Sequence, residues 1–390
     1  MLKVIDIAEL QPGMFVTQVT KQEGVYRVTS AGRIKNSGEI SNLIDKGILQ
    51  IEIDLNKSLH GDSQNNELPL DQVNHHSLNY SQQLEHALKL YEQVKTVHSK
   101  LMNRISKGKP ADLEAVNAVS QQLMEKVFEC DDAINLVTML SENDQYFIEH
   151  SLNCAILIIV FARHLGFDET LMRQLGAGAL LMDIGMVKLP LLLTEKLEDF
   201  DQAETKKIQK HVRMALKLVS NIDVISDISR EVIELHHERL DGSGYPQALM
   251  ADDIPIYGRI AAIVDVYDAL TSSRPYRVAY KPSEALRIMS EELHGLDQEL
   301  MSQFITCIGA HPIGSLVKLA SNKLAIVMRL NKLSPLKPVV MAFYDLDSKQ
   351  HDTVTQIDLS NVDDAIVGSV DPADPAVNLN QFLHQTLLAH

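Results

Sequence analysis

Two adjacent histidines, His236 and His237, run into the loop Glu238-Arg239-Leu240-Asp241-Gly242-Ser243-Gly244-Tyr245-Pro246, and this segment constrains the chain more than any other. Neighbouring residues on a helix project about 100° apart, so two imidazoles can serve one centre only where the backbone turns at a helix end. The glycines tolerate positive φ, and Pro246 stops any further helix. The segment therefore predicts a helix ending in a paired-imidazole metal site beside a glycine-rich loop.

Charge narrows the partners of such a site. With 36 basic and 52 acidic residues the formal charge is −16, which repels phosphate backbones and argues against generic nucleic-acid binding. A small anionic ligand then needs a local basic patch. Cys130, Cys154 and Cys307 stand far apart without paired spacing, as expected of free thiols in a reducing compartment. The start carries no apolar run of secretion-signal length, and the most apolar stretch, Cys154 to Ala162, is under half of the roughly 20 residues a membrane span requires. A cytoplasmic protein with no membrane segment is expected.

Periodicity divides the chain. Residues 1–55 alternate short extended runs with turn signals and end in the strand-like Leu49-Gln-Ile-Glu-Ile-Asp54, predicting a small α+β module. Residues 56–79 are rich in Asn, Ser, Gln and His and read as a polar linker. Helical stripes follow over 80–130, as linking helices Tyr80 to Ser106 and Asp112 to Phe128, and over a domain at 131–315. In that domain, helices are predicted at His150–Leu165, Glu169–Leu181, Asp201–Val219, Ser229–His237, Tyr257–Ser272 and Pro282–Leu293. Residues 316–390 turn β-rich, with strands at Leu324–Leu330, Val339–Tyr344 and Asp352–Leu359, then turns and a frayed helix from Val370. The fold class is mainly α, with a small α+β module before the helical domain and a β extension after it.

Taken singly, the other candidate ligands have bland explanations. His150 suits a core histidine beside an apolar helical face, His211 a solvated one, and Asp183 a helix cap; Asp265 and Asp268 suit a polar stripe. Their order along the chain with the His236-His237 pair carries a resemblance that argues otherwise.

That order resembles the HD-GYP proteins, a branch of the HD metal-dependent phosphohydrolases, through His-His-Glu followed by Asp241-Gly-Ser-Gly-Tyr-Pro246 and through Val264-Asp265-Val-Tyr-Asp268. Leu10-Gln-Pro-Gly-Met-Phe-Val16 likewise resembles the DUF3391 domain that often precedes them. The resemblance implies an all-helical HD-type domain with metal ligands His150, Asp183, His211, His236, His237 and Asp265. One ion would use Asp183, His211, His236 and His237. The other would use His150, Asp183 and Asp265, and Met182 replaces its histidine. Tyr146 replaces the glutamate with which some members hold a third ion, so two is the ceiling. Mixed imidazole and carboxylate donors favour Fe or Mn.

Met186 stands where the family carries a lysine that reaches the scissile phosphate, and Lys188, two places on, is the candidate substitute. The resemblance places nucleotide contacts at Asp241, Gly242, Gly244, Tyr245, Pro246, Asp268, Arg274, Arg277 and Lys281, and guanidinium groups suit bidentate phosphate binding. Two functions stand. One is a metal-dependent phosphodiesterase of bacterial signalling that opens cyclic di-GMP to pGpG and GMP, with activity impaired by the substitutions at 182 and 186. The other is an inactive metal-containing module that binds cyclic di-GMP or a partner such as a GGDEF-type diguanylate cyclase.

Overall fold

The computed structural model describes residues 2–7, 10, 14–22, 32–33, 40, 43–44, 48–54, 80–109, 113–140, 146–190, 193, 200–220, 225–272, 278–331 and 334–370. The linker expected at 56–79, Arg274, Arg277 and the tail after Val370 lie outside them. The chain divides into two units, Met1–His75 and His76–His390.

In the first unit β1 (Leu2–Asp6), β2 (Phe15–Gln22), β3 (Gly32–Arg33) and β4 (Ile48–Asp54) form an antiparallel sheet in the order β1-β4-β2-β3. Ile51 and Ile53, two apart on β4, point to one face and are buried with Ile5 and Val16. The alternation Leu49 to Asp54 thus marks a half-buried strand, as its pattern predicts.

The second unit is helical around one apolar core. It contains α1 (Tyr80–Ser106), α2 (Leu113–Leu140), α3 (Tyr146–His164), α4 (Glu169–Leu181), α5 (Gln202–Ile208), α6 (Lys210–Val219), α7 (Asp227–Leu235), α8 (Ile256–Thr271), α9 (Pro282–Glu291) and α10 (Gln298–Ile308). At the centre lies α3, buried from Glu149 to Ala162 and packed against α2, α4 and α8. Its length and composition would let it cross a membrane, but 78% of its apolar window is buried inside the domain. A helix apolar on every side is a core helix, so the few polar groups on α3 stand out as positioned.

Local signals set the helix ends near the site. Asp168 accepts from Leu171 N at 2.9 Å to start α4, and Ser226 accepts from Ser229 N at 3.1 Å to start α7. Asp201 forms a capping box with Glu204 at the start of α5. Two helices depart from the periodicity reading. The segment predicted as Asp201–Val219 is two helices meeting at Gln209. The helix predicted to end at Phe128 continues to Leu140, because Ala133, Ile134, Leu136 and Val137 keep the helical stripe and bury fully, with no glycine or proline to interrupt it.

The β extension is a five-stranded antiparallel sheet in the order β8-β7-β6-β5-β9, from β5 (Leu316–Leu319), β6 (Lys323–Arg329), β7 (Val339–Asp345), β8 (Gln350–Asp358) and β9 (Ile366–Ser369). Alternate residues of β6 go to different places. Leu324, Ile326 and Met328 join the helical core, while Ala325 and Val327 join a second cluster with Val317, Leu319, Val340 and Leu359. Buried leucines and isoleucines contribute roughly 1.5–3 kcal/mol each, so the sheet is an integral wall of the unit.

Candidate metal centre

Six side chains from five elements converge at one end of α3. His150 comes from α3, Asp183 from the turn after α4, His211 from the first turn of α6, His236 and His237 from the end of α7, and Asp265 from α8. The ligand atoms of Asp183, His211, His236 and His237 all lie within 4.8 Å of one another. Across the group, His211 Nε2 is 3.3 Å from Asp183 Oδ1, and His150 Nε2 is 3.4 Å from Asp183 Oδ2. Asp183 therefore faces both sides with separate oxygens. Asp265 joins them, with Oδ1 at 3.1 Å from His150 Nε2 and Oδ2 at 3.3 Å from His237 Nδ1.

The helix end resolves the geometry of the histidine pair. His236 is the C-cap of α7, and the backbone leaves the helix there, so the two rings sit with centroids 4.1 Å apart. His211 and His236 are oriented alike. Each Nδ1–H donates to the carbonyl three residues earlier, to Ile208 O at 2.7 Å and Ile233 O at 2.9 Å, which leaves both Nε2 atoms, 3.4 Å apart, facing the centre. Backbone bonds of this kind set the tautomer of metal-binding histidines.

Electrostatics prepares these groups for a cation. Burial, helped by His237, holds His236 down at about 3, and burial also lowers His211, so both rings are neutral donors at neutral pH. Burial acts to raise Asp183 and Asp265, yet the facing histidines hold both carboxyls below their ordinary value, Asp265 well below. On His150 burial acts downward, but Cys154, Tyr146, Asp265 and Asp268 together hold the ring well above the usual imidazole value. The neutral imidazoles of His211 and His236 beside the ionised carboxylates of Asp183 and Asp265 fit a divalent transition ion, and an ion on the His150 side would displace the proton which that ring holds.

The loop after His237 is built to stay in place. Asp241 Oδ1 accepts from Ser243 N at 3.0 Å and from Ser243 Oγ at 2.6 Å, closing a local turn in which Gly242 has φ of 75°. At Gly244 any Cβ would lie 2.6 Å from His237 O and collide with the backbone of Glu238 and Arg239, so only glycine fits. Tyr245 N donates to His237 O at 3.1 Å, and its ring lies 4.5 Å from the His237 ring. Burial, with Asp265 and Asp183 nearby, pushes the Tyr245 phenol far above its ordinary value, so it stays protonated. Pro246, joined to Tyr245 by a cis peptide, accepts through its carbonyl from Arg213 at 3.3 Å.

Three residues assigned from the sequence have partners of their own in the structure. Asp268, expected to contact substrate, is buried, and its Oδ2 lies 2.7 Å from His150 Nδ1 and accepts from Ser272 Oγ at 3.2 Å. It sits one helical turn from Asp265 on α8, so it orients His150 from behind. Lys188, the proposed stand-in for Met186, donates to Ile105 O at 2.6 Å at the end of α1. Residues 184–188 form a 3-10 helix, where two places turn a side chain about 240° away. Lys281 donates to Ser369 O at 3.3 Å on β9. Met182 and Met186 are both buried, with Met182 in the apolar core.

Sequence reasoning also missed residues. Glu238 is buried and accepts from Gln247 N at 2.7 Å and Leu249 N at 3.0 Å, tying the far end of the loop to the histidine pair. Cys154 lies one turn from His150, with Sγ 3.8 Å from Nδ1, and burial raises its thiol to about 12. Tyr146 stacks on His150 with ring centroids 5.5 Å apart. The acidic residue directly after two histidines was the available signal for Glu238; no pattern marked Cys154.

Similarity to known proteins agrees with this geometry. Residues 135–300 match the HD domain family, and residues 2–116 match the domain of unknown function DUF3391. A cyclic di-GMP phosphodiesterase of Pseudomonas aeruginosa is 27% identical over 386 residues, 96% of this chain and 93% of that protein. A 3'3'-cGAMP-specific phosphodiesterase of Vibrio cholerae is 34% identical over 149 residues, 38% of this chain and 32% of that protein. A cyclic di-GMP phosphodiesterase of Borreliella burgdorferi is 26% identical over 208 residues, 52% of this chain and 53% of that protein. The chain is an HD-domain protein of the HD-GYP type, carrying a DUF3391 domain ahead of its divalent-metal centre.

Proposed function

We propose that this chain is a metal-dependent phosphodiesterase that opens cyclic di-GMP to pGpG and then GMP. The observation that carries the reading is the group Asp183, His211, His236 and His237, gathered within 4.8 Å and flanked by His150 and Asp265. Divalent ions held there, Fe or Mn by donor type, supply Lewis acidity and a lowered water pKa, the chemistry phosphodiester hydrolysis needs. The chain's own contribution is placement. Asp183 presents one oxygen to each side, Asp268 fixes the ring of His150, and Glu238 anchors the loop that carries Tyr245 beside His237. Arg274 and Arg277 are assigned to the phosphates of the nucleotide by their place just after α8.

The full-length similarity to a cyclic di-GMP phosphodiesterase supports this substrate over 3'3'-cGAMP, whose specific phosphodiesterase aligns with only part of the chain. A non-catalytic module that binds the nucleotide or a GGDEF-type cyclase is the second reading, and buried Met186, which has no charge to offer a phosphate, favours it. Turnover of both nucleotides by protein loaded anaerobically with Mn or Fe separates the readings. Hydrolysis of cyclic di-GMP at a higher kcat/KM than 3'3'-cGAMP supports the proposal, and binding without hydrolysis supports the module. A cytoplasmic site of action follows from an intracellular nucleotide substrate.

A further inference from the structure

The helix that precedes the HD domain packs, along a single face, on residues that flank the metal centre. On α1, Tyr91 Oη donates to Asn153 Oδ1 at 2.9 Å, Lys95 pairs with Glu149 at 2.5 Å, His98 Nε2 lies 2.6 Å from Leu180 O, and Ile105 O accepts from Lys188. The spacing 91, 95, 98, 105 is one helical stripe. Its partners flank the ligands in sequence: Glu149 precedes His150, and Leu180 and Lys188 bracket Asp183.

His98 is the member of this stripe whose chemistry is unfinished. A carbonyl only accepts, so Nε2 carries the proton and donates to Leu180 O, and Nδ1 is a bare lone pair. That Nδ1 is fully buried and has no hydrogen-bond partner. In His211 and His236 likewise one ring nitrogen donates to a backbone carbonyl and the other is left to a metal, although there Nδ1 donates and in His98 it is Nε2. A buried acceptor without a donor costs roughly 1–3 kcal/mol, a cost that coordination would remove. Burial keeps the ring neutral, and Asp183 is near enough to act on its charge. Leu180, which holds His98, lies two residues before Met182, where the second metal position lacks its imidazole.

We propose that His98 supplies that imidazole, so the DUF3391-side helix completes the second metal position from outside the HD motif. His98 lies outside the groups whose ligand atoms fall within 4.8 Å of one another, so coordination requires the His98 ring and the turn that carries Asp183 to draw together as the ion binds. The proposal rests on the two-ion reading of the centre but not on turnover.

Anaerobic titration with Mn(II) or Fe(II), read by equilibrium dialysis and elemental analysis, tests it in the full-length chain. His98→Ala, and His98→Gln, which keeps a donor for Leu180 O, should each weaken the second ion about tenfold or more and leave the first within about twofold. Two imidazoles competing for one position cannot add, so Met182→His should tighten the second ion strongly in the His98→Ala background and hardly at all in the wild type. Equal gains in both backgrounds would overturn the proposal and make His98 a support for the α4 turn. So would a folded His98→Gln variant that holds two ions as tightly as the wild type, whatever happens to His98→Ala. Wild-type protein that holds two ions without hydrolysing any cyclic dinucleotide would sink the phosphodiesterase reading while leaving this one intact.

Discussion

The two sides of the metal centre are held by different means. On one side His211 and His236 are oriented by carbonyls three residues earlier in their own helical turns. On the other, His150 is oriented by Asp268, 118 residues away in sequence, and the position beside it is the apolar Met182. The rings of the locally braced side are oriented once their own helices form and need packing only to be brought to Asp183, whereas the ring of the remotely braced side is not even oriented until α3 and α8 are packed together. The first should bind its ion more tightly and survive perturbation better.

Removing His236 should have the largest effect, because it empties the braced side. His236→Ala is expected to lose the tightly held ion by more than about 100-fold in affinity, seen by elemental analysis after chelator dialysis. A variant still holding that ion would mean the two sides are misassigned. Asp268→Asn comes next: it frees the His150 ring without touching any ligand, so the second ion should weaken about 10- to 100-fold while the first is retained. Loss of both together would show that the two sides are one cooperative unit.

A smaller effect is expected at Gly244→Ala, where the added methyl meets the backbone at His237 and Glu238. Overpacking of this kind costs about 1–3 kcal/mol, and nucleotide affinity should fall with the thermal midpoint of the helical unit. Unchanged values would mean that the loop does not brace His237.

The smallest effect distinguishes the sides by pH in chelator-treated protein. His236 titrates at about 3 when folded against an ordinary 6.5. Between those values the unfolded chain binds the extra proton, so this contribution is present above 6.5 and is lost as pH falls towards 3. His150 is raised instead, so its contribution is present below 6.5 and is lost as pH rises through its folded value. From pH 7 to 6 the His236 share is below about 1 kcal/mol. Thermal melts of His236→Gln should show a flatter acid limb than the wild type, and identical limbs would remove His236 as the cause.

Patterns carried by short stretches were legible. The bounds of α4, Glu169–Leu181, match the periodicity reading, since Asp168 caps its start and an apolar stripe runs to its end. The short strands β5 and β9 and the helix α10 were not read from the sequence. β5 and β9 have four residues each, too few to show a period, and they are defined by pairing with each other and β6. The contacts of Lys188 and Asp268 were not legible for a related reason: spacing along the chain says which residue types are near, not which way a turn aims them.

The sequence by itself determined the ingredients: the helical class, the histidine pair at a helix end, and the glycine-rich loop that follows it. These are local, because caps, turns and i−3 carbonyl bonds act within a few residues. Only the tertiary structure decided which carboxylate braces which ring, that Lys188 turns to Ile105, and that His98 is buried against the end of α4 with one nitrogen unpaired. Those contacts join residues separated by 82 to 118 positions. They exist only because burial of a shared apolar core covers the entropy of closing such loops, and no local pattern encodes them.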